Sequence, residues 1–123
     1  MKLKGKVAIV TGAGRMRGIG RGTATVLARM GAHVVVTGTG RDPASYPKDE
    51  KDADWRDIHS TAEQIEAFGV RALPLVSNIA DQEDVQKMID ATVAEFGRLD
   101  IIVNNAAAPY GNDRVSVMDM QTD

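Results

Sequence analysis

Twelve consecutive residues, Thr11 to Gly22, read Thr-Gly-Ala-Gly-Arg-Met-Arg-Gly-Ile-Gly-Arg-Gly and hold five of the chain's twelve glycines. The chemistry such a run can do is anion binding. Glycines let the backbone turn tightly and approach a ligand, and the unpaired N–H groups at a helix start point at negative charge. Arg15 and Arg17 add positive charge to the same loop. A P-loop would need Gly-Lys followed by Ser or Thr, and no such string occurs. The strict G-x-G-x-x-G spacing also fails, because Arg17 stands three beyond Gly14. Two registers remain. Gly14, Gly18 and Gly20 fit G-x-x-x-G-x-G, with Ala13 in place of a threonine. In the other, preferred here, Thr11-Gly12 opens the motif and two extra residues lengthen the loop. The stretch then reads as the pyrophosphate cradle of a dinucleotide cofactor, against the alternative of a glycine-rich turn with no ligand.

Further residues with chemistry to offer are few. Thr39 and Arg41 follow a second apolar run, Asn78 and Ile79 a third, and Asn104-Asn105-Ala106 end a fourth. The two histidines, His33 and His59, have no second ligand at useful spacing, so no metal site is expected. Cysteine is absent, which excludes disulfides and a thiol nucleophile.

The elements that must position these residues alternate strand and helix. Strands are expected at Val7–Val10, His33–Thr37, Arg71–Val76 and Leu99–Asn104, since each is a short apolar run. Pro74 places the third at a sheet edge. Helices are expected from about Gly18 to Met30, from Asp54 to Gly69, and from Asp81 to Gly97. Ile19, Thr23, Val26, Leu27 and Met30 mark the stripe of the first. Trp55, Ile58, Ala62 and Ile65 mark that of the second. Asp81 with Asp84 resembles a capping box at the start of the third. Gly31, Gly69 and Gly97 each close a helix shortly before the next strand. This rhythm implies a parallel sheet with right-handed crossovers and helices on its faces. Ten of the seventeen residues from Arg41 to Asp57 are charged, and 41–53 reads as an exposed excursion.

Thr11-Gly12 through Gly18-Ile19-Gly20, with Asn104-Asn105-Ala106 at the end of strand four, resembles the short-chain dehydrogenase/reductase family. The resemblance runs from about Leu3 to the end of the chain. It implies a Rossmann-type doubly wound sheet, here about four strands in the order 3-2-1-4, and hydride transfer between NAD(H) or NADP(H) and a carbonyl or hydroxyl substrate. By the same resemblance Gly12, Gly14, Gly18, Ile19 and Gly20 meet the pyrophosphate. Asn78 stands where the family has an acidic residue near the adenine, followed by Ile79, and Asn105 and Ala106 line the cofactor pocket. Ala107 replaces a family glycine. No acidic residue follows strand two directly. Thr39 and Arg41, with Arg15 and Arg17, therefore favour the 2′-phosphate of NADP(H).

The family's proton donor is a tyrosine with a lysine four residues on and a serine upstream. The two tyrosines here, Tyr46 and Tyr110, are followed four residues later by Glu50 and Arg114, so no catalytic residue is assigned. The chain reads as the cofactor-binding half of a Rossmann domain over 1–107, with 108–123 leading into a further helix, and as a fragment of a longer polypeptide. A non-catalytic dinucleotide-binding or sensing module is the alternative. At 123 residues, 43% hydrophobic and net charge −2, the chain is long enough for one modest core, and nothing in it favours nucleic acid. No apolar run spans a membrane and no signal peptide is read, so a cytoplasmic protein is expected, homo-oligomeric when complete.

Overall fold

The computed structural model describes residues 2–105. Four strands, β1 (Val7–Thr11), β2 (His33–Gly38), β3 (Ala72–Val76) and β4 (Ile101–Asn104), form one parallel sheet in the order β3-β2-β1-β4. Four helices connect them: α1 (Ile19–Arg29), α2 (Lys48–Asp52), α3 (Ile58–Glu66) and α4 (Gln82–Phe96). This is a Rossmann-type arrangement. Pro74, opposite Val36, sits in edge strand β3, where its missing N–H costs the sheet nothing.

Alternation along β1 and β2 divides the core into two layers. Val10, Val34 and Val36 face α1 and α3, where Ala24, Ala28, Ile58, Ala62 and Ile65 meet them. Ile9 and Val35 face α4 through Met88, with Val85, Ile89 and Phe96 packed alongside. Because β1 and β2 are covered on both faces, their valines and isoleucine are fully buried, each worth roughly 1.5–3 kcal/mol. The edge strands β3 and β4 are only half-buried or less.

Four local expectations are corrected. The stripe read for α1 is its buried face only at Leu27, which packs partly buried on the core. Ile19 is 77% exposed and Val26 48%, whereas Gly20, Ala24 and Ala28 are buried. The helix lies so close to the sheet that only small side chains fit beneath it. The helix expected from Asp54 begins at Ile58, with Trp55 buried in the preceding loop. The excursion is not wholly exposed. It forms a 3-10 turn at Pro43–Ser45 and the short α2, and it buries Tyr46 and Glu50. Asp81 does cap α4, accepting from Glu83 N at 2.9 Å, but Asp84 accepts from Asn78 N at 2.9 Å, so the capping box is not reciprocal. Residues 106–123, with the predicted tail, Tyr110 and Ala106, lie outside the described residues.

Candidate functional site

β1 ends at Thr11 and the chain turns at once through Gly12, whose φ of 67° strains any residue with a Cβ. Side chains from β4 lock this turn. Thr11 Oγ1 donates to Asn104 Oδ1 (3.0 Å) and accepts from Asn105 N (3.0 Å). Asn105 Nδ2 donates to Gly12 O (3.1 Å). On the other side, Ala13 N donates to Thr37 O (2.9 Å), continuing the register towards β2. The start of α1 is packed directly onto the turn. A Cβ on Gly20 would lie 2.4 Å from Gly12 O and 2.8 Å from Asn105 Nδ2. No side chain caps α1, since its N-cap is Gly18, and its first turn carries no acidic residue. The positive end of the helix dipole is thus left open.

The excursion, with the loop and helix α3 that follow it, folds back onto the glycine loop. Trp55 Nε1 donates to Gly14 O (2.6 Å) and Thr61 Oγ1 to Ala13 O (2.7 Å). Met16 N donates to Glu50 Oε2 (2.8 Å), and Arg17 Nε pairs with Asp49 Oδ2 (2.5 Å), whose carboxyl the Arg17 hydrogen bond holds below the usual range. A cavity of about 530 Å³ opens between turn and excursion. The glycine turn contributes Gly12, Gly14, Arg15, Gly18 and Ile19 to its wall. Thr39 and Arg41 enter from beyond β2, and Asn105 from beyond β4. It lies outside the carboxyl ends of the strands, beside β1, which has β2 and β3 on one side and β4 on the other, the usual ligand crevice of such folds. Its volume is that of a small-molecule site.

The sequence-predicted residues therefore divide. The eight named above share the cavity wall. Gly20 lies beneath it as a packing residue. Arg17 is turned away, 78% exposed, into a neighbouring hollow with Met16, Arg21 and Gln64. Asn78 is engaged in the β3–α4 turn, its Oδ1 accepting from Ala80 N at 3.0 Å, and neither it nor Ile79 lines the cavity.

One wall residue, Asp57, was not anticipated. It occupies the N-cap position of α3 without capping it, at φ 57°, ψ −133°. Its Oδ1 instead accepts from Arg41 Nε (2.9 Å) and Nη2 (2.7 Å). Burial works against the Arg41 charge, but the Asp57 hydrogen bond and the charges of Asp57 and Glu50 outweigh it and raise the arginine's pKa. Burial, followed by the charge of Asp57, pushes the Tyr46 phenol up. No sequence signal turns the Asp57 carboxylate towards Arg41.

Elsewhere, His33 Nδ1 accepts from Arg71 N (3.0 Å) and its ring stacks on Phe96, while His59 is exposed. Among the described residues no cluster of His, Asp and Glu could hold a metal ion, and no helix is long and apolar enough to cross a membrane.

Comparison with known proteins agrees with this geometry. Residues 6–123 match the short chain dehydrogenase family. The short chain dehydrogenase/reductase astE of Aspergillus oryzae is 45% identical over 106 residues, covering 85% of this chain and 34% of that protein. A short chain dehydrogenase from Mycobacterium paratuberculosis, solved bound to NAD, superposes with a TM-score of 0.68 at 33% identity, over 88% of this chain and 39% of its own. Carveol dehydrogenase from Mycobacterium avium, in complex with NAD, gives 0.69 at 31% identity, over 87% of this chain and 37% of its own. The chain thus spans about a third of the length of such relatives.

Proposed function

The chain belongs to the short-chain dehydrogenase family, and from that premise we propose that it is the cofactor-binding half of an oxidoreductase acting on a small carbonyl or alcohol. The observation that carries this reading is the cavity at the uncapped start of α1, whose floor is backbone because glycine stands at 12, 14 and 18. A dinucleotide fits these residues. Gly12, Gly14, Gly18 and Ile19 would hold the pyrophosphate with backbone and helix dipole, and Thr39 and Arg41 would face the adenosine end. Asn105 would border the nicotinamide side. Hydride transfer is the chemistry such a cofactor supplies when bound.

The relatives solved with NAD support a nicotinamide dinucleotide in general. The preference for NADP(H) needs Arg15, Arg17 and Arg41 as free cations, and two of these are already paired. Among the described residues Arg15 alone of the three forms no ion pair. Catalysis is assigned to residues outside this chain, because its sequence holds no Tyr-x-x-x-Lys. A cytoplasmic setting and association with further copies in the complete protein belong to the same reading.

Trp55, the chain's single tryptophan, sits against Gly14 and gives the test its probe. Titration with NADH is expected to give saturable, one-to-one energy transfer from Trp55 to bound nicotinamide, competed by adenosine monophosphate. No saturable change, confirmed by calorimetry, would refute dinucleotide binding. Carbonyl reduction by this chain alone would refute the division of labour.

A further inference from the structure

Both arginines that turn out to be paired are met by carboxylates of the same segment. Arg17, at the surface, meets Asp49. Arg41 is buried between two: besides its bonds to Asp57 Oδ1, its Nη2 lies 3.0 Å from Glu50 Oε1. The three side chains are 15%, 3% and 8% exposed, in the order Arg41, Glu50, Asp57. The Tyr46 ring covers the guanidinium, its centroid 4.6 Å from Cζ. One cation against two carboxylates leaves this buried group with a net negative charge, and Arg41 and Asp57 both stand in the cavity wall next to Thr39.

Several features fix Asp57 in this place. Its backbone occupies a region that L-residues rarely adopt, so the surroundings must over-determine it. Glycines make room for the carboxylate on two sides. A Cβ on Gly14 would lie 2.3 Å from Asp57 Oδ1, and one on Gly38 would lie 3.3 Å from Oδ2. Asp57 forgoes the helix-capping bond open to an aspartate at that position. Among the described residues its Oδ2 accepts no hydrogen bond. An acceptor beside the end of β2 is what a ribose 2′-hydroxyl requires.

Resting on the dinucleotide reading above, we infer that Asp57 and Glu50, by neutralising Arg41 and leaving the corner negative, make this cavity select the 2′-hydroxyl of NAD(H) over the 2′-phosphate of NADP(H). A 2′-phosphate would bring close to two negative charges to a corner that already carries one, and the forked guanidinium that could receive it is committed. This reverses the preference drawn from the number of arginines. The selecting carboxylate comes from the far end of the excursion instead of the end of β2, where Gly38 stands.

The test is direct binding, by calorimetry and by nicotinamide fluorescence, with NADH and NADPH as separate probes of the full chain. The wild-type chain is expected to bind NADH roughly tenfold or more tightly than NADPH, the scale of a like-charge penalty in a partly buried site. Asp57→Gly removes the carboxylate while suiting the positive φ, and is expected to bring the two affinities within about threefold of each other, NADPH gaining as Arg41 is released. Glu50→Gln keeps an oxygen for Met16 N, removes one charge, and is expected to narrow the ratio in the same direction. Equal or tighter NADPH binding by the wild-type chain overturns the inference and leaves dinucleotide binding intact. An unchanged ratio in either folded variant, checked by circular dichroism, overturns the role given to that carboxylate. Binding of neither nucleotide overturns the dinucleotide reading, and this inference with it.

Discussion

Gly20→Ala against Gly22→Ala tests whether the site is built by close packing of α1 on the glycine turn. Both glycines lie in the same helix, two residues apart. A Cβ at Gly22 meets nothing within 4 Å, so alanine there should gain about 0.5–1 kcal/mol from helix propensity and a less flexible unfolded chain. At Gly20 the added carbon would lie 2.4 Å from Gly12 O, 2.8 Å from Asn105 Nδ2 and 3.0 Å from Ala13 Cα. Relief requires a shift of about 1 Å, because carbon needs some 3.5 Å from its neighbours. The helix cannot supply that shift freely, since Ala24 and Ala28 are buried against the sheet on the same face. Overpacking of this kind costs about 1–3 kcal/mol, and loss of the Asn105–Gly12 hydrogen bond adds about 1. Set against the same propensity gain, Gly20→Ala should be net destabilising by about 1–3 kcal/mol, opposite in sign to Gly22→Ala. Urea unfolding of the two variants and the parent, at matched m-values, measures the difference. Equal stability of the two variants would mean that α1 is not seated on Gly12, and the geometry given for the cradle would be wrong.

Removing the indole donor with Trp55→Phe leaves the Gly14 carbonyl without its 2.6 Å partner, and is expected to cost about 1–3 kcal/mol in urea unfolding and to loosen residues 13–17 in hydrogen exchange; unaltered exchange there would show that the excursion does not support the loop. Asp100 pins the start of β1 to β4 by accepting from Val7 N at 2.9 Å, and the Arg98 hydrogen bond holds its carboxyl below the ordinary range. A depressed folded-state pKa contributes stability above the unfolded pKa of about 4 and loses it as pH falls through the folded value. Asp100→Asn should therefore be less stable than the parent at pH 7 and converge with it below about pH 4, as read from urea midpoints across pH; a constant gap would deny the ionised carboxylate this role.

The four strands and three of the helices, α1, α3 and α4, were legible because buried parallel strands leave continuous apolar runs such as Val34-Val35-Val36, and because glycines with positive φ follow those helices at Gly31, Gly69 and Gly97; the strand order came with the family resemblance, and the short α2 was not foreseen. The face of α1 was legible only at Leu27. Its buried side is made of Gly20, Ala24 and Ala28, so hydrophobicity, which ranks Ile19 and Val26 higher, points away from the sheet. A close contact selects for smallness, and smallness at spacing four was the usable signal. The cavity wall was legible where glycine and short polar residues follow strands. It was illegible at Asp57, because that residue reaches the site through tertiary contacts with Arg41, Gly14 and Gly38, none of them near it in sequence. For the same reason Arg17 and Arg41 read as available charges until their partners appeared from 32 and 16 residues away.

Loop and excursion are parts of one construction. A glycine turn this long has more backbone groups to satisfy than its own glycines can manage, and buried groups left without partners cost about 1–3 kcal/mol each. Trp55, Glu50 and Thr61 supply bonds to Gly14 O, Met16 N and Ala13 O respectively, all from one side of the loop. In return the loop gives the buried Glu50 carboxylate a donor besides Arg41, without which a charge so deeply placed would be far costlier. The charge density that makes 41–57 look like a solvated excursion is thus what holds it in place. Its outer carboxylates stay in water, while Glu50 and Asp57 turn inward around a single arginine at the edge of the cavity.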